Sequence, residues 1–276
     1  DFKVLPLDLN LEFNTVRRAG FQDVWEDWQA EWFWDTQSCV DSFVEAHKDI
    51  IDAHVGFLAK CGAKVFGFSC YSSCVKLSMV IARELKARNP NFIVVFGGPH
   101  VSRNLGGVDV VSQEYVDLVA QGEGEITLLE IMERVRDGKS LHGIIGTLHN
   151  DHGTIHDNGN RPLIRDLDEL PFAALGDFDI NLYKEQRLPV MASRGCPNQC
   201  NFCSEKVYWI AYRGFSAKRI ADEIFYHLDR NPGVEVVEFM DSLVNGVVPR
   251  MIEMADYFIQ HPRKFRWIAQ AVIRKE

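Results

Sequence analysis

The sequence predicts an α/β protein built around a doubly wound parallel sheet, with a second strand–helix alternation after it. Three observations predict this. Short, continuous apolar runs alternate with helices of three-to-four-residue periodicity, the pattern of parallel strands buried on both faces. Several of those runs pass directly into small or polar loops at their carboxyl ends, the edge where open α/β sheets bind ligands. Finally, 276 residues with 46% hydrophobic and 25% charged residues have an ordinary globular composition, and their length suggests two domains at about 150 residues each.

In chain order, the apolar run Val4–Leu7 is followed by a Trp-rich stretch, Trp25 to Trp34, whose spacing fits neither helix nor strand. From Val40 to Lys60 the positions Phe43, Val44, His47, Ile50, Ile51, His54, Val55 and Leu58 form one helical stripe that Gly62 ends. A strand at Val65–Phe68 then leads through Ser69-Cys-Tyr-Ser-Ser73 into a helix to Arg88. The strand Phe92–Phe96 ends in Gly97-Gly-Pro-His100, and the strand Leu118–Ala120 ends in Gln121-Gly-Glu-Gly-Glu125, which opens a helix to Arg136. Turn residues around Asn150-Asp-His-Gly153 and Asp157-Asn-Gly-Asn160 predict a hairpin within 143–164 that closes the first domain. Residues 165–188 read as a linker. Beyond it the expected elements are a strand at Pro189–Arg194, a helix at Ser216–Arg230, a strand at Val234–Met240, a helix at Val248–Gln260 and a strand at Phe265–Ala271.

Thirty basic and 39 acidic residues give a net charge of −9, which argues against broad binding to nucleic acid or an anionic membrane. No stretch approaches the roughly 18 consecutive apolar residues of a membrane span, and no secretory leader is read at Asp1, so a soluble, cytoplasmic chain is expected. Seven cysteines, three of them within eight residues, fit a reducing compartment and a metal or cluster site better than a disulfide framework.

Those three are Cys196-Pro-Asn-Gln-Cys200-Asn-Phe-Cys203, on the loop after the strand ending at Arg194. Three soft ligands on one tight loop can wrap a single metal centre. A structural zinc site needs four ligands, typically in two pairs, and no second pair or nearby histidine flanks this loop, so zinc is the weaker reading. On a four-iron cluster, three cysteines leave one iron open to another ligand.

With Phe202 before the third cysteine, this pattern resembles the radical S-adenosylmethionine superfamily, which sets the loop at the carboxyl end of the first strand of a partial β/α barrel. The resemblance implies a 4Fe-4S cluster on Cys196, Cys200 and Cys203. Its open iron would chelate S-adenosyl-L-methionine, and cleavage would yield methionine and a 5′-deoxyadenosyl radical. Phe202 would lie near the adenine. Asp241, with Glu238 as its competitor, would face the methionine amino group. Arg194 is a further expected contact, and Tyr212 and Arg213 flank the same loop, although arginines at strand ends are commonly solvated.

The first domain resembles the cobalamin (B12)-binding domain that precedes the radical barrel in one branch of that superfamily. The resemblance rests on Gly67-Phe-Ser69 with Ser72 and Ser73, on Gly97-Gly-Pro-His100, and on Gly122-Glu-Gly-Glu125. The residues expected to bind cobalamin are Ser69, Tyr71, Ser72, Ser73, Gly97, Gly98, Pro99, His100, Gly122, Glu123, Gly124 and Glu125. Glycines admit a bulky ligand against the backbone, and hydroxyls can bond its nucleotide tail. Asp52-Ala-His54-Val-Gly56 comes close to the cobalt-ligating Asp-x-His-x-x-Gly pattern but misplaces the glycine inside a helix, so His54 is read as a helix-face residue. His100 reads as a satisfied loop histidine, Cys70 and Cys74 as core packing, and His149, His152 and His156 with Asp151 as a surface turn whose alternation splits them between faces.

The expected organisation is therefore a Rossmann-like cobalamin-binding domain over 1–164, a linker over 165–188, and the first part of a partial radical S-adenosylmethionine barrel over 189–276. The three strands after Pro189 are half those of the family's barrel, so the chain is expected to be a portion cut at both ends. The implied function is a cobalamin-dependent radical methyltransferase acting on an unactivated carbon or a phosphinate phosphorus. One S-adenosylmethionine would methylate cob(I)alamin; another would furnish the radical that abstracts a substrate hydrogen. The expected partners are a small-molecule or peptide substrate and an electron donor such as flavodoxin or ferredoxin. The alternatives are a radical cyclase or rearrangement enzyme without methyl transfer, and a cofactor-binding module without catalysis.

Overall fold

The computed structural model describes residues 2–25, 30–102 and 105–273, without the side chain of Glu31. Residues 26–29 of the Trp-rich stretch, and the outer ends of the two expected domains at 1 and 274–276, lie outside the described residues. The chain divides into two compact units, one of Asp1–Val4 with Glu12–Leu163 and one of Leu5–Leu11 with Ile164–Glu276.

The first unit carries the sheet β1 (Val65–Ser69), β2 (Ile93–Gly97), β3 (Leu118–Ala120), β4 (Thr147–Asp151) and β5 (Thr154–Asp157), in that spatial order. The first three strands are parallel; β4 and β5 are the antiparallel hairpin expected within 143–164. Chain order and spatial order coincide, so the carboxyl ends of β1, β2 and β3 lie side by side along one edge of the sheet.

Both faces of this sheet are covered, which is why its strands read as continuous apolar runs. Val94, Phe96, Val119 and Leu148 share one core with Val75 and Ala82 of the helix Ser72–Arg88 and Val110 and Val111 of a short helix, Gly107–Val111. Val95, Leu118 and Ala120 form the opposite core with Ile131 of the helix Gly124–Arg136. The alternation of Val94, Val95 and Phe96 between those cores is the period-2 geometry of a strand.

The helix predicted over Val40–Lys60 is two helices, Gln37–Ala46 and Lys48–Leu58. His47 causes the break. Its φ/ψ of −114°/21° leave the helical region, its ring stacks on Phe43, its Nδ1 lies 2.9 Å from the Phe43 carbonyl, and its Nε2 accepts the Arg18 N–H. His54 sits on the second helix, with Nδ1 2.9 Å from the Ile50 carbonyl, as expected of a helix-face residue. Phe43 is fully buried among Phe13, Phe21, Trp25 and Trp34, so two tryptophans of the unassigned stretch pack on the first of these helices.

The second unit holds a parallel sheet in the order β10 (Arg266–Ile268), β9 (Val236–Phe239), β6 (Arg187–Val190). The helices Ala217–Arg230 and Val248–Gln260 pack on it. Ile220, Ile224 and Leu228 of the first recur every four residues and meet Leu188, Val190, Val237 and Phe239 in its core. Leu167 and Ile180, from the segment expected to be a linker, are buried in the same core, so that segment is a folded part of this unit. Among the described residues, no helix is long and apolar enough to cross a membrane.

Candidate cluster loop and ligand edge

In the second unit the strand expected over Pro189–Arg194 is interrupted. After β6 the chain resumes as β7 (Ser193–Arg194), which pairs antiparallel with β8 (Arg213–Gly214) and so closes the base of an 18-residue excursion, 195–212. The three cysteines lie on that excursion. Gly195, at φ +77°, starts it; a Cβ there would stand 3.0 Å from the Ala211 carbonyl oxygen, so a side chain would push the two limbs apart. The Cys203 amide donates to the Cys200 carbonyl at 3.2 Å, and Phe202, at the turn, is 94% exposed.

All three thiols are unpaired; Cys200 is exposed and Cys196 and Cys203 are half-buried. Their sulfurs are not a set of three ligand atoms within 4.8 Å of one another. Three thiols on one loop are the donor type that an iron–sulfur cluster takes.

The base of this loop is anchored from β9. Asp241, 3% exposed, accepts the Ala192 N–H at 2.8 Å and the Ser193 hydroxyl. Burial pushes its carboxyl above the ordinary carboxylate value, opposed by those two donors and by the charge of Arg250. Both oxygens of Asp241 thus hold the strand that enters the cysteine loop. Glu238 is bound within the sheet to Arg187 at 3.4 Å. Arg194, expected at the surface as an alternative to a site role, is buried at 8% exposure with its guanidinium over the Trp209 ring at 5.4 Å. Arg213 donates to the Ile164 carbonyl at 2.7 Å.

Arg250 also packs here and is not among the residues expected from the sequence. Its Nη2 donates to the Tyr212 hydroxyl at 2.6 Å, and a Cβ on Gly214 would overlap its guanidinium. Gly246 likewise leaves room for the Tyr212 hydroxyl. Two glycines against one Arg–Tyr pair were the available clue.

In the first unit, the residues expected at cobalamin lie at the carboxyl ends of three neighbouring parallel strands, in the turns after them and in the first turns of the helices that follow. Ser69, Tyr71 and Ser72 are exposed; Ser73, Gly97, Gly98, Pro99, His100, Gly122 and Glu123 are half-buried; Gly124 and Glu125 are exposed. The β1 and β2 loops are stitched by two main-chain bonds, Cys70 N–H to the Gly97 carbonyl at 2.8 Å and His100 N–H to the Cys70 carbonyl at 3.1 Å. Gly98 makes the crossing possible: at φ +95°, a Cβ there would stand 2.7 Å from both Cys70 N and O. Gly122, at φ +73°, and Gly124 face open space where a Cβ would stand.

A further residue, not singled out in advance, is Gln121. It is 7% exposed, and neither its amide oxygen nor its amide nitrogen has a hydrogen-bond partner. A buried amide in this state at a ligand edge suits a polar ligand supplying both bonds. Open glycine backbone with an unsatisfied buried amide fits a large polar cofactor. His100 instead lines a cavity of about 320 Å³ with Lys76 and Arg83. Cys70 is fully buried and Cys74 packs against the same core, as expected.

No family model matches the chain. Curated relatives do. It is 30% identical over 220 residues to an uncharacterized methyltransferase of Pyrococcus horikoshii, covering 78% of this chain and 47% of that protein. It is 29% identical over 200 residues to the cobalamin-dependent radical SAM methyltransferase TokK of Streptomyces tokunonensis, covering 69% and 29%. It is 29% identical over 162 residues to the anaerobic magnesium-protoporphyrin IX monomethyl ester cyclase of a Synechocystis species, covering 57% and 32%. The fold matches that of the cobalamin-dependent S-adenosylmethionine radical enzyme OxsB at a TM-score of 0.63, with 19% identity over 79% of this chain and 31% of that one.

The chain is thus a relative of cobalamin-dependent radical S-adenosylmethionine methyltransferases and of related cyclases. It spans less than half the length of these curated relatives.

Proposed function

We propose that this chain supplies the cofactor-binding part of a cobalamin-dependent radical S-adenosylmethionine methyltransferase, acting on an unactivated carbon or a phosphinate phosphorus of a small molecule or peptide. The observation that carries the reading is the Cys196–Cys203 loop, pinned at its base by the β7–β8 pair and Asp241, in a chain that also carries the open-glycine edge of the first unit. When bound, the cluster and S-adenosylmethionine supply the electron and the radical, and cobalamin carries the methyl group.

The protein's own part is positional. Cys196, Cys200 and Cys203 would hold the cluster, and exposed Phe202 would offer its ring to the adenine. Asp241 keeps the strand entering the loop in one place. Around the corrin, Gly97, Gly98, Gly122 and Gly124 admit the ring, while Ser69, Ser72, Ser73 and Gln121 offer hydrogen bonds. Flavodoxin or ferredoxin would deliver electrons in a reducing, cytoplasmic setting.

A second reading, radical ring closure without methyl transfer, is favoured by the similarity to the anaerobic cyclase. Anaerobic incubation of the reconstituted chain with a chemical reductant and trideuteromethyl-labelled S-adenosylmethionine separates the two. Release of 5′-deoxyadenosine with the label in a product supports methyl transfer. Release without label in any product supports the cyclase reading. No 5′-deoxyadenosine at all leaves a cofactor-binding module and overturns both.

A further inference from the structure

Outside the cysteine loop and the glycine edge, the first unit holds a cluster of imidazoles that the proposed chemistry does not use. Strand alternation predicts that His149, His152 and His156, on a surface turn, are split between faces. The register overturns this for two of them. His149 of β4 stands directly opposite His156 of β5, and cross-strand partners in an antiparallel pair share a face. Asp151, two residues beyond His149, lies on that face as well. His152 occupies the turn itself, at φ +49°.

The loop after the helix Gly124–Arg136 adds a third imidazole, His142. Arg134, paired with Glu130 at 2.7 Å, donates to the carbonyls of Ser140 at 3.0 Å and His142 at 2.7 Å. The backbone carrying His142 is therefore fixed before any ligand arrives. Its ring lies 4.4 Å from that of His149 and 5.6 Å from that of His156, and its Nε2 stands 3.5 Å from an Asp151 oxygen.

One ligand atom each from His142, Asp151 and His156 lie within 4.8 Å of one another, and among the described residues no other set of three His, Cys, Asp or Glu side chains does so. A tetrahedral centre with bonds of about 2.0–2.1 Å separates neighbouring ligand atoms by about 3.4 Å, close to the His142–Asp151 spacing. A second observation points the same way. His149, 7% exposed, forms the floor of the cluster, and its Nδ1 is buried without a hydrogen-bond partner. His149 is not one of the three, but a buried imidazole packed beside two further imidazoles and a carboxylate gives the cluster the donor chemistry of a transition-metal site.

We propose that His142, Asp151 and His156 bind one divalent first-row transition ion, with zinc suited to the two-imidazole, one-carboxylate set, above a floor formed by His149. The ion ties the 137–146 loop to the hairpin and so fixes the outer edge of the sheet, where β5 has no further strand beside it. A water or a substrate oxygen would complete the coordination. This site is independent of the cysteine loop and of the cofactor reading.

Zinc binding to the full chain tests it, in a Cys196→Ala, Cys200→Ala, Cys203→Ala background that removes the competing thiolates. Equilibrium dialysis with elemental analysis should find one zinc more per chain than in the same background carrying His142→Ala and His156→Ala, and Asp151→Asn should weaken that zinc by about tenfold or more. The imidazole NMR resonances of His142 and His156 should shift on zinc addition. These ligands are half-exposed or exposed, so the variants should keep the parent's circular dichroism. Equal zinc counts with and without the two histidines, or imidazole resonances that do not move, would overturn the proposal.

Discussion

The Asp241 Oδ2 accepts the main-chain N–H of Ala192 at 2.8 Å, tying the end of β9 to the strand that delivers the three cysteines. Its other oxygen takes the Ser193 hydroxyl. Asp241→Ala would leave two buried donors without an acceptor, and bonds to a charged group are worth about 1.5–3 kcal/mol each. A loss of about 3 kcal/mol in denaturant unfolding is expected, together with reduced iron retention after reconstitution.

The same residue sets a pH dependence. Burial raises the Asp241 carboxyl above its ordinary 3.8, so just above that value the folded chain holds more protons than the unfolded one. Stability contributed by this group is therefore greatest below pH 3.8 and declines as pH rises through the raised value. Asp241→Asn should flatten that decline; an identical pH profile in the variant would contradict the assignment.

Phe202, 94% exposed, contributes almost nothing to packing. Phe202→Ala should leave the unfolding midpoint unchanged and weaken S-adenosylmethionine binding by about tenfold, the scale of one lost ring contact. Calorimetry on the reconstituted chain measures both effects. A fall in stability with unchanged affinity would make Phe202 a structural residue.

Cys74 should be the most reactive thiol of the first unit near neutral pH. A hydrogen bond from the Cys70 thiol, with another from the Tyr71 N–H, draws it down to about 7, while the same pairing and burial push Cys70 up. Its thiolate fraction thus rises through pH 7, well below an ordinary thiol's 9.0. Iodoacetamide labelling followed by peptide mass spectrometry should find Cys74 modified and Cys70 intact, and Cys70→Ala should move the Cys74 profile to higher pH.

Gly98→Ala should destabilise the first unit by about 2 kcal/mol or more, since it combines a positive φ with a Cβ 2.7 Å from the Cys70 backbone. Gly124→Ala meets open space and should be nearly neutral to folding. A corrinoid-binding defect in Gly124→Ala would then report directly on the ligand edge.

Most of the strand–helix rhythm was legible, because strands covered on both faces and helices with one apolar stripe each leave an unmistakable period. Leu118–Ala120 and Val248–Gln260 fall on the predicted residues. The cysteine loop was legible as well, since its spacing is local. What escaped depends on contacts between distant residues. The break at His47 comes from a ring bonding its own helix and Arg18. The burial of Arg194 comes from the β7–β8 pairing, and the shared face of His149 and His156 from a strand register that periodicity alone does not provide. Gln121 was visible only as part of a loop, because an unsatisfied amide is a property of its surroundings.

The most direct measurement is anaerobic reconstitution with iron, sulfide and hydroxocobalamin, followed by iron and corrinoid quantitation on the parent chain and on Cys196→Ala, Cys200→Ala, Cys203→Ala. About four irons and one corrinoid per chain are expected in the parent, with the iron alone lost in the variant. Iron without corrinoid would contradict the role given to the glycine edge, and iron unaffected by the cysteine changes would contradict the cluster loop itself.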